Sequence, residues 1–428
     1  MSRLLVALVP ALALALAAPA AAQDLLVRGA KVHTAGSRGT LENQDVLVLG
    51  GVVRAIGPGL AAPAGVTVVE AKGRPLTPGL FGGLTGLGIE EVSGEAATVD
   101  NNLALGNLVP AHHGVWRPEF DVSIAFNPRS AAIGVNRVEG ITFTTLAPGA
   151  VPGGSFIAGQ GSVVRLDGSY DAVVEGSRSL FIALGGSASG LSGGSRAGQW
   201  MLLEQALSES RPSFNAGAHG LLTPAGKIAF ARYSGGGRVV FQVNRAADIL
   251  QVLAFATRTG MRPVIAGGAE AWQVADKLKA ANVPVLLDAL VNLPSSFDAL
   301  GSTLENAARL HRAGVAVGFT QGGDATHNAR KIRQLAGTAV ANGLPWEAGL
   351  AGLTSVPAQV FGIASNRGRI EVGQVADLVL WSGDPLEVNT LAEQVWFDGK
   401  PANMRSRQTE LRDRYLAPPG ALPRAYGN

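Results

Sequence analysis

The stretch Leu76-Thr-Pro-Gly-Leu-Phe-Gly-Gly-Leu-Thr-Gly-Leu-Gly88 stands where one kind of sequence gives way to another. Upstream, residues 24–33, 45–56 and 66–70 read as short strands, and Gly50-Gly51 between two apolar runs is a hairpin signal. Downstream, strand-like and helix-like segments alternate. Strand candidates are 140–146, 238–243, 262–266, 283–287 and 314–318; helix candidates are 196–210, 245–259, 270–281, 303–313 and 328–342. Gly260, Asn282, Gly314 and Gly343 stand where helix C-caps do. This βαβα rhythm implies right-handed crossovers and a parallel sheet, most economically an α/β fold of the (β/α)8 TIM-type barrel kind. A doubly wound open sheet is the alternative, without a Gly-x-Gly-x-x-Gly at a first strand-to-helix turn to support it. The upstream strand pattern returns at 376–381 and 393–399, so both termini are expected to build one small composite β-sandwich domain. The expected boundaries are a signal peptide over 1–22, the composite domain over 23–75 and 365–428, and the barrel over 76–364.

Composition narrows the class. Arg3, an apolar Leu/Ala/Val run and Pro19-Ala-Ala-Ala-Gln23 fit a secretory signal peptide cut after Ala22, which predicts a periplasmic or secreted protein. That run is too short and too Ala-rich for a convincing membrane span. With no cysteine there is no disulfide, thiolate metal site or cysteine nucleophile. The formal charge of +3 falls to +2 without Arg3 (3 − 1 = 2), too little to predict nucleic acid or an anionic membrane as partner. Charged residues make up 16% and apolar ones 47%, with 57 glycines, which suits a buried parallel sheet with tight loops.

Several blocks resemble the imidazolonepropionase-like branch of the amidohydrolase superfamily. They are the 24–88 opening, Gly140-Ile-Thr-Phe-Thr-Thr with Ile157-Ala-Gly-Gln-Gly-Ser-Val-Val-Arg165, the helix start at Ser195-Arg196, and the ending. That ending is the most specific: Ala351-Gly-Leu-Thr-Ser-Val-Pro-Ala-Gln-Val-Phe-Gly362, then Gly368-Arg-Ile-Glu-Val-Gly-Gln-Val-Ala-Asp-Leu-Val379. The resemblance implies a metal-dependent hydrolase of C–N bonds that uses zinc or another divalent ion. Its ligands would be a His-x-His on the first strand, often a fourth-strand lysine or glutamate, a histidine on each of strands five and six, and an aspartate after strand eight.

Set against that pattern, the first-strand histidine positions hold Leu84 and Gly86, with Gly82 for the aspartate. Gln242 and Asn244 stand at strand five, Gly267 at strand six and Gln321 at strand eight. Phe181 occupies the place where the fourth-strand lysine is common, though that strand aligns least securely. Leu and Gly have no side-chain lone pair, amides coordinate transition metals poorly, and a zinc site needs at least three protein ligands. The resemblance, with Leu84, Gly86, Gln242, Asn244, Gly267 and Gln321 as vacated metal-site positions, predicts no metal, no cofactor and no metal-dependent catalysis.

Other residues carry weaker signals. Asp324 and His327 follow strand eight and are weak catalytic candidates for a relocated site, with a helix N-cap as the plainer reading of Asp324. His112-His113 and His219 read as loop residues, and His33 and His311 as structural. Gly153-Gly-Ser155 and Gly159-Gln-Gly161 lack P-loop spacing and read as tight loops. Glu90, Glu91 and Glu95 are carboxylates after the first strand, read as loop solvation or a helix start. Arg245 and Glu270 are candidate ligand-binding residues near the mouth. Three functions follow: a non-catalytic homologue partnering an active amidohydrolase paralogue or a second copy of itself; a C–N hydrolase with a relocated site; and a small-ligand binding protein using the barrel mouth.

Overall fold

The computed structural model describes residues 24–105, 116–213 and 220–416. The leader expected over 1–22 lies outside them, as do His112, His113 and His219. In chain order, the first strands are β1 (Leu25–His33), β2 (Thr40–Leu49), β3 (Val52–Gly57), β4 (Thr67–Glu70) and β5 (Pro75–Pro78). The middle contains β6 (Leu80–Thr85), β7 (Ile141–Leu146), β8 (Ile157–Gly161), β9 (Val163–Arg165), β10 (Ser179–Ala183), β11 (Arg238–Val243), β12 (Arg262–Gly267), β13 (Val285–Leu287) and β14 (Val317–Phe319). The strands β15 (Leu378–Trp381), β16 (Ala392–Phe397) and β17 (Lys400–Pro401) close the series.

One eight-stranded sheet joins both ends of the chain. β5 pairs antiparallel with β15, while β1 has β2 on one side and β4 then β5 on the other, so the sheet forks at β1. Val27, Val32, Leu76, Leu378 and Trp396 share its core. At the β2–β3 hairpin, Leu49 faces Val52, and Gly50 and Gly51 between them have φ of 61° and 78°, backbone that suits glycine. Because β5 belongs to this sheet, the change-over into the second body falls at Gly79 rather than before Leu76. There the Gly79 amide donates to the Asp377 carbonyl at 2.9 Å, and a Cβ would collide with Thr142.

The second body is an α/β assembly of two mixed sheets. β10 to β14 run parallel in chain order, and β6 pairs parallel with β7. That order lacks the reversal a doubly wound sheet requires. The all-parallel expectation fails at one place: the segment containing β8 and β9 runs antiparallel to both neighbours, β9 on β7 and β8 on β10. The link from Leu146 to Ile157 contains no helix. A chain that turns back directly gives an antiparallel neighbour, whereas a parallel one needs a crossover.

Strand alternation sorts the apolar residues. On β11, Val239, Phe241 and Val243 join the large core under the helices, whereas Val240 belongs to an inner core with Phe81, Phe143, Val264 and Leu286. Phe181 lies in this inner core, fully buried. Helices Arg196–Glu209 and Ala246–Thr259 match the expected spans closely, the latter ending at Gly260 with φ 72°. The expected 270–281 helix is instead a 3-10 turn, Ala271–Val274, followed by Ala275–Ala280; within the turn the Trp272 indole donates across to the Gly301 carbonyl at 2.8 Å. The 328–342 candidate begins earlier and is broken into Ala325–Asn328, Ala329–Lys331 and Ile332–Ala341.

Candidate functional site

At the C-terminal ends of the parallel strands lies a cavity of about 620 Å³, where open α/β folds and barrels place their ligands. Leu84, Gly86, Gln242, Asn244, Gly267 and Gln321 all line it. Six positions taken from four separate strand ends therefore converge on one space.

Several of these residues fit their present neighbours in a way the metal ligands of the resembling family would not. Gln321 donates from Nε2 to the Asn328 carbonyl at 2.7 Å, a bond that an ionised aspartate would turn into oxygen facing oxygen. Gly267 has φ 93°, and a Cβ there would lie 2.6 Å from Asn244 Oδ1. Asn244 in turn accepts from the Ala269 amide at 3.3 Å, so Asn244 and Gly267 are mutually fitted. Leu84 packs into the inner core, and its amide donates to Thr320 Oγ1 at 3.2 Å. The Gly86 amide donates to Thr326 Oγ1 at 2.9 Å, while a Cβ on Gly86 would approach Thr326 Oγ1 and Glu90 Oε2 to 2.9 Å each.

Among the described residues that line the cavity, the ionisable ones are Glu90, Asp288 and Asp324, with no Lys, Arg or His. Glu90 Oε2 accepts from Asn101 Nδ2 at 2.9 Å and from the Thr326 hydroxyl at 3.1 Å. Asp288, directly after β13, accepts from the amides of Leu290 and Gly322, both at 3.0 Å. Asp324 caps the helix Ala325–Asn328, its Oδ1 accepting from the His327 amide at 3.2 Å. These donor-fed carboxylates, with amides, glycines and a leucine, do not fit a tightly held transition-metal ion. Among the described residues no group of three His, Asp or Glu side chains is placed to hold one.

His327 does not line the cavity. Its Nδ1 lies 3.0 Å from Asp324 Oδ1 and its Nε2 lies 3.1 Å from the Glu91 carbonyl. An imidazole between two acceptors donates from both nitrogens only when protonated. The Asp324 hydrogen bond accordingly raises the His327 pKa despite partial burial. On Asp324, burial pulls upward but the hydrogen bonds from His327 outweigh it, leaving that carboxyl below its ordinary value.

Arg245 and Glu270, expected near the mouth as ligand binders, are not on the cavity wall. The Glu270 carboxylate is 8% exposed and accepts from the amides of Ala246 at 3.0 Å and Gly301 at 2.9 Å, which ties two loops together. Arg245 pairs with Asp248 at 2.9 Å; Asp248 also binds Arg196, which is paired in turn with Asp298. Glu270 is therefore engaged in joining loops, while Arg245 is tied to Asp248 through Nη2. Glu95 caps a 3-10 turn by accepting from the Ala97 amide at 3.3 Å, and Glu91 is absent from the lining. Sequence reading missed Asn101, Asp288 and Thr326. Asp288 had a legible signal, an acid directly after a predicted parallel strand.

The sequence profile of the amidohydrolase family matches residues 225–405. An amidohydrolase from Thermotoga maritima MSB8 superposes with a TM-score of 0.73 and 24% identity, covering 89% of this chain and 100% of that one. Residues 225–405 thus carry the amidohydrolase-family profile, and the chain shares its fold with an amidohydrolase. An atrazine chlorohydrolase from Arthrobacter aurescens TC1, complexed with zinc, shares the fold with a TM-score of 0.55 at 18% identity, over 91% of this chain and 97% of that one. Among curated proteins, amidohydrolase tasK of Hapsidospora irregularis is 46% identical over 57 residues, 13% of this chain. A dihydroorotase of Geobacter sulfurreducens is 47% identical over 58 residues, 14% of this chain. These matches span only 6% and 13% of the two curated relatives, so they bear on a short block of this chain and not on either relative's whole activity.

Proposed function

We propose that this amidohydrolase-superfamily protein is an exported, non-catalytic homologue that keeps the family cavity as a small-ligand pocket and works beside an active paralogue or as a homodimer. The observation that carries this reading is the convergence of Leu84, Gly86, Gln242, Asn244, Gly267 and Gln321 on one cavity with no imidazole or carboxylate among them. Gln321, Asn244 and Gly267 support it further, because each meets a local need that the expected ligand would disturb. The Arg3 to Gln23 leader pattern supports export. In this reading the two sheets of the second body close into one (β/α)8-type barrel. Support comes from the Leu84 amide bonding Thr320 beyond β14 and from the Leu146 amide donating to the Ser162 carbonyl at 2.9 Å.

The pocket's chemistry favours neutral or cationic, hydrogen-bonding ligands over carboxylates, since Glu90 and Asp288 meet no opposing cation among the described lining residues. The decisive experiment is metal analysis of protein purified from zinc-supplemented cells. The expected result is no stoichiometric metal. One or more tightly held zinc ions per chain would overturn the reading.

A further inference from the structure

A second concavity, of about 840 Å³, lies apart from the central cavity and shares no lining residue with it. It is bounded by the helix Ala131–Arg137, the Asp167–Ser169 loop, the β16–β17 turn and the start of the helix Arg407–Leu416. Arg129, Arg137, Arg405 and Arg407 line it, and none has a carboxylate partner within ion-pair distance among the described residues.

The acids on its walls are largely engaged. Asp167 is paired with Arg165 and accepts from the Ser169 amide at 2.9 Å. Asp398 binds Arg165 at 3.0 Å and Arg367 at 2.9 Å. Glu410 is the remaining acid among the described lining residues, against which stand the four arginines. In a chain of formal charge +3, this local excess is not a general surface property. Arg137 holds one bond, from Nη1 to the Leu166 carbonyl at 3.4 Å, while its Nε is buried without a partner. Burial pushes the Arg137 guanidinium below its ordinary value; Arg129 pushes it the same way, and Asp167 opposes both. An anion in the groove would relieve that repulsion and satisfy the forked donors.

We propose that this groove binds a phosphate-bearing small molecule. Its volume falls within the range of about 300–1,000 Å³ usual for small-ligand sites. Guanidinium forks match the paired oxygens of a phosphate, and the helix start at Ser406-Arg407 adds a favourable dipole.

The test is calorimetric titration of the full chain with inorganic pyrophosphate at low and at physiological salt. One saturable site per chain is expected, weakened about ten-fold or more in the Arg129→Gln/Arg405→Gln double variant. Both side chains are exposed, and matched thermal melts would show that the variant folds. Arg407→Gln provides the same comparison should the double variant melt early. Absence of saturable binding, or equal binding by folded variants, would overturn the proposal. Cosedimentation with phosphatidylglycerol vesicles in the absence of pyrophosphate binding would also overturn it, in favour of a membrane surface.

Discussion

Gln321 ties the end of β14 to the helix that follows through a single side-chain amide. Its amide holds the Asn328 carbonyl, so Gln321→Asp should remove a donor and set a carboxylate against a carbonyl oxygen. Urea melts should show a loss of about 1–3 kcal/mol. Gly267→Ala should cost a similar amount, about 1–3 kcal/mol, because its φ of 93° is strained for any side chain and the Cβ meets Asn244. The positions of both residues were legible in the sequence, because strand-end motifs fix register. Their present roles were not, since a hydrogen bond from Gln321 to Asn328 and a positive φ at Gly267 depend on where the loop after β14 and the turn after β12 settle.

Among the elements, the loops after β6 and β14 meet where His327 bridges Asp324 and the Glu91 carbonyl. The raised imidazole pKa means this bond stabilises fully below the ordinary 6.5 and is lost as pH rises through the folded value. The lowered Asp324 pKa means the carboxylate's share is present above the ordinary 3.8 and is lost as pH falls through its folded value. His327→Gln should therefore lower the melting temperature most near pH 5–6, and the difference should shrink by about pH 9. A gap independent of pH would refute the protonated bridge. The Asp324-x-x-His spacing was visible in the sequence, but its Glu91 partner, far away in the chain, was not. The helix Pro224–Ser234 was missed despite its Thr223 cap and Pro at the first turn, an available signal. The reversed strand of β8 and β9 was also unread, since direction is set by the missing crossover and not by residue type.

Across the whole molecule, contacts from a few residues join the terminal sheet and its following loop to the helical body. His33, at the end of β1, bonds Thr40 at 2.8 Å and packs on Trp346 with ring centroids 4.5 Å apart. Burial, reinforced by Lys31, pushes its pKa down to about 4. The neutral ring's contribution is present above 6.5 and is lost as pH falls towards 4. His33→Gln should flatten acid-side stability over that window in melts from pH 7 to 4. Arg333, 6% exposed, donates to the carbonyls of Pro385 at 2.8 Å and Thr390 at 3.1 Å and lies over Trp381. Arg333→Ala should cost about 3–5 kcal/mol in denaturant melts, since it orphans buried carbonyls as well as removing a packed side chain.

The pairing of β5 with β15 also sets a clock. Pro78 faces Leu378 across that ladder, so 300 residues (378 − 78) must be made before the terminal sheet can be completed. At about 5–20 residues per second, synthesis alone imposes a wait of about 15–60 s on β1 to β5. During that interval their apolar edge has no native partner, and any factor that holds the nascent chain must shield the first strands longest.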